Sequence, residues 1–203
     1  MILIAMDKGM TIIPINNTIM NSVTYVLYSE DVDYCVLIDC GEYETLKPVL
    51  DKIGKVVKAV LLTHGHSDHI YGLNKLLGTY PDAMVCTTED GHKEIQDAKL
   101  NLSYLHDYPF AVKGYKKKVL TDGQTVSFDG LEDIDVIATP GHDSSCLTYK
   151  LGMNLFTGDS YIPGVKVFYK FPRGNKELAL SSYKMLANMQ KEGFHIYCGH
   201  HTY

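Results

Sequence analysis

The sequence lacks the features that mark membrane-spanning, secreted and nucleic-acid-binding proteins. No apolar run approaches the roughly 20 residues of a transmembrane helix, and residues 1–8 have no basic region before their short apolar part, as a signal peptide would. Acidic residues outnumber basic ones: 24 Asp and Glu and 19 Lys and Arg give a formal net charge of −5. A broad nucleic-acid surface needs clustered cations. We therefore expect a cytoplasmic protein with neither a membrane nor a nucleic-acid partner.

The cysteines form neither a disulfide framework nor a paired zinc-binding pattern. The sequence has five cysteines, an odd number, at widely separated positions: Cys35, Cys40, Cys86, Cys146 and Cys198. Such spacing favours small buried apolar residues over cross-links or zinc knuckles. Cys146 and Cys198 lie near the candidate metal ligands described below, but we do not include them among those ligands.

Length and patterning predict one globular unit. The 203 residues are 45% hydrophobic and 21% charged, as in ordinary globular enzymes. Two halves that each combine strands with helices predict an α/β (α+β) protein built as a four-layer αβ/βα sandwich, with residues 1–203 as a single domain. The basic run 116–118 is predicted to be a solvated loop and not a phosphate-binding track. The predicted strands are 11–15, 23–28, 34–38, 58–62, 84–86, 125–128, 134–138, 146–151, 154–157 and 195–198, and the predicted helices are 44–53, 70–77, part of 89–105, and 178–189.

The most informative segment is 64–69, which follows the apolar run 60–63. It contains His64, His66, Asp68 and His69 within six residues. Imidazole nitrogen and carboxylate oxygen are ligands that suit zinc, iron and manganese, and Gly65 allows a turn in which neighbouring side chains converge. The segment therefore predicts a metal site at the end of a buried strand, in preference to a surface turn that happens to be rich in histidine.

Three later apolar runs also end in a candidate ligand. They lead to His142, Asp159 and His200 respectively. His201 competes with His200 for the last position, and we favour His200 because it directly follows Gly199. His92 and His106 have no strand-end context and are predicted to be surface or structural residues. His195 begins a predicted strand and is predicted to be structural.

The order of these motifs resembles the metallo-β-lactamase-fold hydrolases, from about residue 12 to the end of the sequence. An aspartate at position 159 is similar to the glyoxalase II (hydroxyacylglutathione hydrolase) type of site within that superfamily. The motifs that carry the resemblance are His64-x-His66-x-Asp68-His69, Thr139-Pro140-Gly141-His142, Thr157-Gly158-Asp159 and Gly199-His200. The resemblance implies one metal on His64, His66 and His142, a second on Asp68, His69 and His200, and Asp159 bridging both.

Two divalent metal ions are thus the implied cofactors, with zinc favoured and iron or manganese as alternatives. A hydroxide held between two cations is a nucleophile at neutral pH, and the same cations can polarise a carbonyl and stabilise the oxyanion that forms. Asp68 and Asp159 would act catalytically by holding the cations and orienting that oxygen. The implied activity is hydrolysis of a small-molecule thioester, lactone or related ester.

Substrate-binding residues are less well defined by the sequence. Lys166, Tyr169, Lys170 and Arg173 follow the bridging aspartate, in the region where glyoxalase-type enzymes hold a glutathione-like group, but their spacing departs from the family pattern. A solvated loop explains them equally well. The sequence ends three residues after His200, so we expect no helical carboxy-terminal domain to complete a glutathione site.

Two other functions are compatible with the motifs. An oxidoreductase similar to the persulfide dioxygenases would use a single iron ion, held by fewer of these ligands. A non-catalytic metal-binding module is disfavoured because all seven ligand positions are filled. The sequence gives no prediction of oligomeric state.

Overall fold

The computed structural model describes residues 4–5 and 9–201, so the prediction for residues 1–8 lies largely outside the described part of the chain. The described residues form twelve strands, five α-helices and a 3-10 helix (Ser103–Leu105). The strands are β1 (Ile4–Ala5), β2 (Met10–Asn16), β3 (Val23–Ser29), β4 (Tyr34–Ile38), β5 (Val56–Leu61), β6 (Met84–Thr87), β7 (Lys116–Val119), β8 (Thr125–Val126), β9 (Ile134–Ala138), β10 (Leu147–Leu151), β11 (Asn154–Gly158) and β12 (His195–Cys198). The helices are α1 (Tyr43–Ile53), α2 (Ser67–Ile70), α3 (Leu73–Thr79), α4 (Glu89–Ile95) and α5 (Lys176–Lys191).

The strands form two sheets. The larger sheet has the order β1-β2-β3-β4-β5-β6-β7, antiparallel from β1 to β4 and parallel from β4 to β7. The smaller sheet has the order β12-β11-β10-β9-β8, in which only β11 and β12 are parallel. Every residue of β3 and β11 is buried, as expected for strands that are covered on both faces.

Three separate apolar clusters define the layers. The outer face of the larger sheet packs against α1 and α3, with Leu46 and Leu76 fully buried. The two sheets pack on each other through residues such as Ile38 and Phe156. The outer face of the smaller sheet packs against α5 through Leu155 and Leu186, among other residues. Helices, sheet, sheet and helix therefore stack in four layers, which confirms the predicted α/β sandwich.

One sequence prediction about a local element is wrong. The basic run 116–118 belongs to strand β7, which pairs in parallel with β6, and is not a loop. Lysine was compatible with a strand here because β7 lies at the sheet edge, where Lys116 pairs with Asp82 at 2.7 Å and Lys117 with Glu89 at 3.3 Å. Charged edge strands also resist pairing with other chains.

The helices also differ in detail from the predictions. The apolar spacing after the histidine segment gives two short helices, α2 and α3, in place of a continuous one. The mixed segment 89–105 contains α4, turns and the 3-10 helix. Among the described helices the longest, α5, has 16 residues, and none is both long and apolar enough to cross a bilayer.

Candidate metal centre

The seven candidate ligands of the sequence come together where strands of both sheets end. The segment 64–69 follows β5, and Asp159 directly follows β11. Backbone hydrogen bonds join these strand ends across the sheets, because the Leu147 N–H donates to Thr63 O at 2.8 Å and the Val23 N–H donates to Gly199 O at 2.8 Å. The backbone of one sheet thereby fixes the ligand-bearing loops of the other.

The donor atoms form overlapping groups, in each of which all atoms lie within 4.8 Å of one another. These groups are His64, His66 and His142; Asp68, His69 and His200; and His64, His69 and Asp159. Asp159 lies between the first two groups. Its Oδ1 is 3.4 Å from His69 Nε2, and its Oδ2 is 3.1 Å from His200 Nε2 and 3.5 Å from His142 Nε2. That position suits a bridge, although the ligand assignment itself stays a prediction.

Unsatisfied polar atoms show that this donor set fits cations. His64 Nε2, His69 Nε2 and Asp159 Oδ1 are buried and have no hydrogen-bond partner. In addition, His66 Nδ1 and His142 Nε2 face each other at 3.0 Å. Buried polar atoms without partners are costly, and a divalent cation bound by nitrogen and oxygen donors would satisfy them.

Other residues orient the imidazoles by binding the nitrogen atom that faces away from the centre. The Nδ1 atoms of His142 and His200 lie 2.8 Å from the carbonyl oxygens of Phe168 and Met20, respectively. His69 Nδ1 lies 2.9 Å from a carboxylate oxygen of Asp39. Such partners fix the imidazole tautomer and raise its basicity as a ligand.

Asp39 has a structural role that sequence reasoning missed. Besides His69, it accepts hydrogen bonds from the Thr63 N–H at 2.7 Å and the Thr63 hydroxyl at 2.8 Å. It adopts a left-handed conformation with φ 59°, which aspartate tolerates better than most residues. The sequence signal was a carboxylate at the end of β4, the strand next to β5, because parallel neighbours end at the same edge.

Burial and mutual charge shift the pKa values of this cluster in opposite directions. Burial, with help from the neighbouring His69 and His66, lowers the pKa of His64 well below its usual range. Burial also opposes protonation of His69, but nearby carboxylates, above all Asp68 and Asp159, outweigh it and raise its pKa. Burial likewise opposes ionisation of Asp159, yet His69 and His200 hold its pKa well below its usual range.

A buried acidic pair next to His66 also escaped sequence reasoning. Asp143 Oδ2 lies 3.7 Å from His66 Nε2, and Glu94 is fully buried. Burial, and to a smaller extent Asp143, raise the pKa of Glu94 to about 9. Burial opposes ionisation of Asp143, but His66, Glu94 and the Ser145 N–H outweigh it and lower its pKa. The sequence placed Asp143 next to the candidate ligand His142 but gave no sign that Glu94 approaches it.

Two glycines are required by close packing at the centre. A Cβ atom on Gly65 would lie 2.5 Å from Glu94 Cβ, and a Cβ atom on Gly199 would lie 2.3 Å from Asp159 Oδ1. Real Cβ atoms essentially never approach other atoms so closely. Both turns of the predicted motifs therefore need glycine for space.

The remaining sequence candidates lie in varied surroundings. Lys166 and Lys170 are exposed, Tyr169 is half-buried, and Arg173 makes ion pairs with acidic residues near His66. His201 is exposed. The other residues considered are as follows: Cys146 is buried, Cys198 is half-buried, His92 is buried and hydrogen-bonded, His106 is exposed beside Ser67, and His195 is exposed.

Comparison with known proteins agrees with this geometry. A hydroxyacylglutathione hydrolase of Pectobacterium atrosepticum is 34% identical over 134 residues, which cover 66% of this chain and 45% of that protein. The chain spans about half the length of the curated relatives that it matches first.

Two solved structures show the same fold. The BLEG-1 B3 metallo-beta-lactamase superposes with a TM-score of 0.84 at 24% identity, covering 94% of this chain and 92% of that one. TTHA1623, solved in a di-iron-bound form, superposes with a TM-score of 0.76 at 23% identity, with the same coverage of 94% and 92%. The model of the metallo-beta-lactamase superfamily matches residues 18–200. With its two-sheet sandwich and its His- and Asp-lined centre, the chain belongs to the metallo-beta-lactamase superfamily, a superfamily of metallo-hydrolases.

Proposed function

We propose that this chain is a hydrolase of small thioesters, lactones or related esters and that it uses two divalent metal ions, zinc before iron or manganese. The observation that carries this proposal is the convergence of seven nitrogen and oxygen donors on one centre, with Asp159 within 3.5 Å of nitrogen atoms from both groups. Two bound cations would lower the pKa of a water molecule and polarise a carbonyl group.

The side chains of the protein then have separate tasks. His64, His66 and His142 would hold one ion, and Asp68, His69 and His200 the other. Asp159 would neutralise charge between the two ions, because its two oxygens face different histidines. Asp39 would keep the Nδ1 proton of His69 in place and leave Nε2 free for a metal.

A cleft beside Asp68 is the proposed substrate site. It has a volume of about 330 Å³ and combines apolar and aromatic side chains with polar and charged ones. Its lining comprises Ile19, Ser67, Asp68, Tyr71, Leu105, His106, Asp107 and Tyr108. This lining contains two carboxylates and neither lysine nor arginine. Asp68 is itself a candidate metal ligand, so Asp107 is the free carboxylate of the cleft. With no cationic side chain to pair with the carboxylates of glutathione, and with Asp107 repelling them, the cleft favours an uncharged acyl or lactone group.

Lys166 and Tyr169 stay candidates for contacts with a distant part of the substrate. They follow Asp159 in sequence, and Lys166 is exposed. If they bind substrate in its ground state and transition state equally, Lys166→Ala and Tyr169→Ala should raise KM more than they lower kcat.

The test compares metal-loaded and metal-free protein on uncharged thioesters, lactones and aryl esters, with the glutathione thioester of lactate as the charged comparison. We expect metal-dependent turnover that is faster on the uncharged substrates and is lost in Asp159→Ala. Efficient β-lactam cleavage, or oxygen consumption with glutathione persulfide by iron-loaded protein, would contradict the proposal in favour of a lactamase or a persulfide dioxygenase.

A further inference from the structure

Arg173 is the only arginine in the sequence, and all other basic residues are lysines. It lies among acidic and hydroxyl groups instead of facing solvent, with 21% of its side chain exposed. Its Nε atom is 3.4 Å from Glu94 Oε1 and 3.4 Å from Asp143 Oδ2. Its Nη2 donates to the Ser144 hydroxyl at 2.6 Å and lies 3.5 Å from Asp90 Oδ2. We call these five residues the Arg173 cluster.

The Arg173 cluster contacts the metal centre through His66. The Nδ1 atom of His66 faces His142, while its Nε2 atom lies 3.7 Å from Asp143 Oδ2. Asp143 thus lies between an imidazole of the centre and the guanidinium. Arginine suits this position because its planar group presents five donors in fixed directions, whereas lysine offers a single point charge.

The segment just before Arg173 covers the same pair of histidines. The Phe171 ring centroid lies 4.9 Å from that of His66 and 5.5 Å from that of His142. The Phe168 ring lies 4.7 Å from Phe171, and its backbone carbonyl accepts from His142. Residues 168–173, which we call the strap, are therefore held at one end by His142 and at the other by the Arg173 cluster.

We propose that Arg173 is a positioning residue that fastens the strap over His66 and His142, and not a residue that binds substrate. Three observations carry the assignment: the guanidinium is mostly buried, its partners Glu94 and Asp143 are at most 1% exposed, and the strap packs on two candidate ligands. Removing the cation would leave the buried Asp143 carboxylate without its guanidinium partner, which is destabilising, and would loosen the orientation of His66.

Metal affinity distinguishes positioning from substrate binding. The measurement of metal affinity rests on the proposed role of His66 and His142 as metal ligands. We expect Arg173→Gln to weaken zinc binding by about 10–100-fold in competition with a chromophoric chelator, as losses of partners behind metal ligands do. Arg173→Lys should bind zinc as weakly as Arg173→Gln. A lysine could still attract a substrate carboxylate, so this variant separates positioning from substrate binding. Lys176→Gln, which removes a nearby exposed charge, should match the unsubstituted protein.

Proteolysis of the metal-free protein tests the strap without metal or turnover. Trypsin should cut after Lys170 several-fold faster in Arg173→Gln than in Lys176→Gln, because the strap opens more often. Failure of the proposed hydrolase activity would leave this result unaffected. If Arg173→Gln does not fold, Asp143→Asn provides the test, because it removes the charge between Arg173 and His66 but keeps the shape of the side chain. Asp143→Asn should also weaken zinc binding. Unchanged zinc affinity and proteolysis, with only a raised KM, would overturn the proposal.

Discussion

Each imidazole of the centre has two nitrogen atoms, and each atom has a different neighbour. His64 and His69 direct Nε2 inwards, while their Nδ1 atoms meet Thr63 at 3.1 Å and Asp39 at 2.9 Å. His66 has the opposite arrangement, because its Nδ1 atom faces His142 and its Nε2 atom faces Asp143. An imidazole held at one nitrogen presents the other in a defined direction, so little freedom is lost when a metal binds.

The bridging position gives the first prediction at the residue scale. Asp159→Ala should lower metal content and hydrolysis far more than Cys146→Ala, because two cations about 3.5 Å apart would face each other without an anion between them. Cys146 is buried even more fully than Asp159 but is not among the grouped donors, so it controls for the effect of truncating a buried side chain. Elemental analysis of both variants checks the expectation, and equal losses would mean that the bridge is misassigned.

Gly199 gives a second prediction at this scale. The Cβ atom of Gly199→Ala would lie 2.3 Å from Asp159 Oδ1 and 2.9 Å from His69 Cε1, so these groups must shift. We expect a loss of about 1–3 kcal/mol in the free energy of unfolding together with lower metal content. Gly78→Ala in α3 meets no atom within 4 Å and should stabilise by about 0.5–1 kcal/mol. Denaturant unfolding of both variants makes the comparison.

At the scale of elements, the sequence predicted best where burial and periodicity agree. Fully buried strands such as β3 and β11 and the amphipathic helices α1 and α5 were recognisable, because their apolar pattern is set by the core. The candidate ligands were recognisable because each group of them follows a strand. Contacts between distant segments were not, since nothing local indicates that Glu94 lies against Gly65 or that Arg173 meets Asp143. The lysines of β7 were misinterpreted because edge strands need not be apolar.

The packing of α4 on β7 gives a prediction about pH. The two ring nitrogens of His92 lie 3.2 Å from the Tyr115 hydroxyl and 3.1 Å from the Lys118 carbonyl oxygen, and burial lowers its pKa below the usual 6.5. As pH falls below about 6.5, the unfolded state takes up the proton more readily than the folded state, so stability is lost. The slope is at most about 1.4 kcal/mol per pH unit.

His92→Gln keeps a polar side chain but removes this titration. The difference in unfolding free energy between the unsubstituted protein and His92→Gln should therefore be larger at pH 7.5 than at pH 5. A difference for His92→Gln that does not depend on pH would refute the expected role of its burial.

At the scale of the whole molecule, the centre depends on both sheets being folded. Tyr25 of the larger sheet donates its hydroxyl to Cys198 O at 2.6 Å, and Tyr149 of the smaller sheet donates to Leu62 O at 2.7 Å. Both hydrogen bonds end close to ligand-bearing loops. The donors of either candidate metal group also come from both sheets, as His64 and His142 illustrate. Metal binding should therefore stabilise the contact between the two sheets and not one sheet alone.

This dependence leads to a prediction about stoichiometry and thermal stability. Seven donors exceed the three or four protein ligands of a single zinc site, so elemental analysis should give two ions per chain. A ligand that binds only the folded state stabilises it by about 2.7 kcal/mol at 100 times its Kd, and chelation should therefore lower the unfolding temperature. Asp159→Ala should show a much smaller shift on chelation, because it already lacks the bridge. One ion per chain at full occupancy with activity intact would exclude the dinuclear centre and leave a mononuclear one.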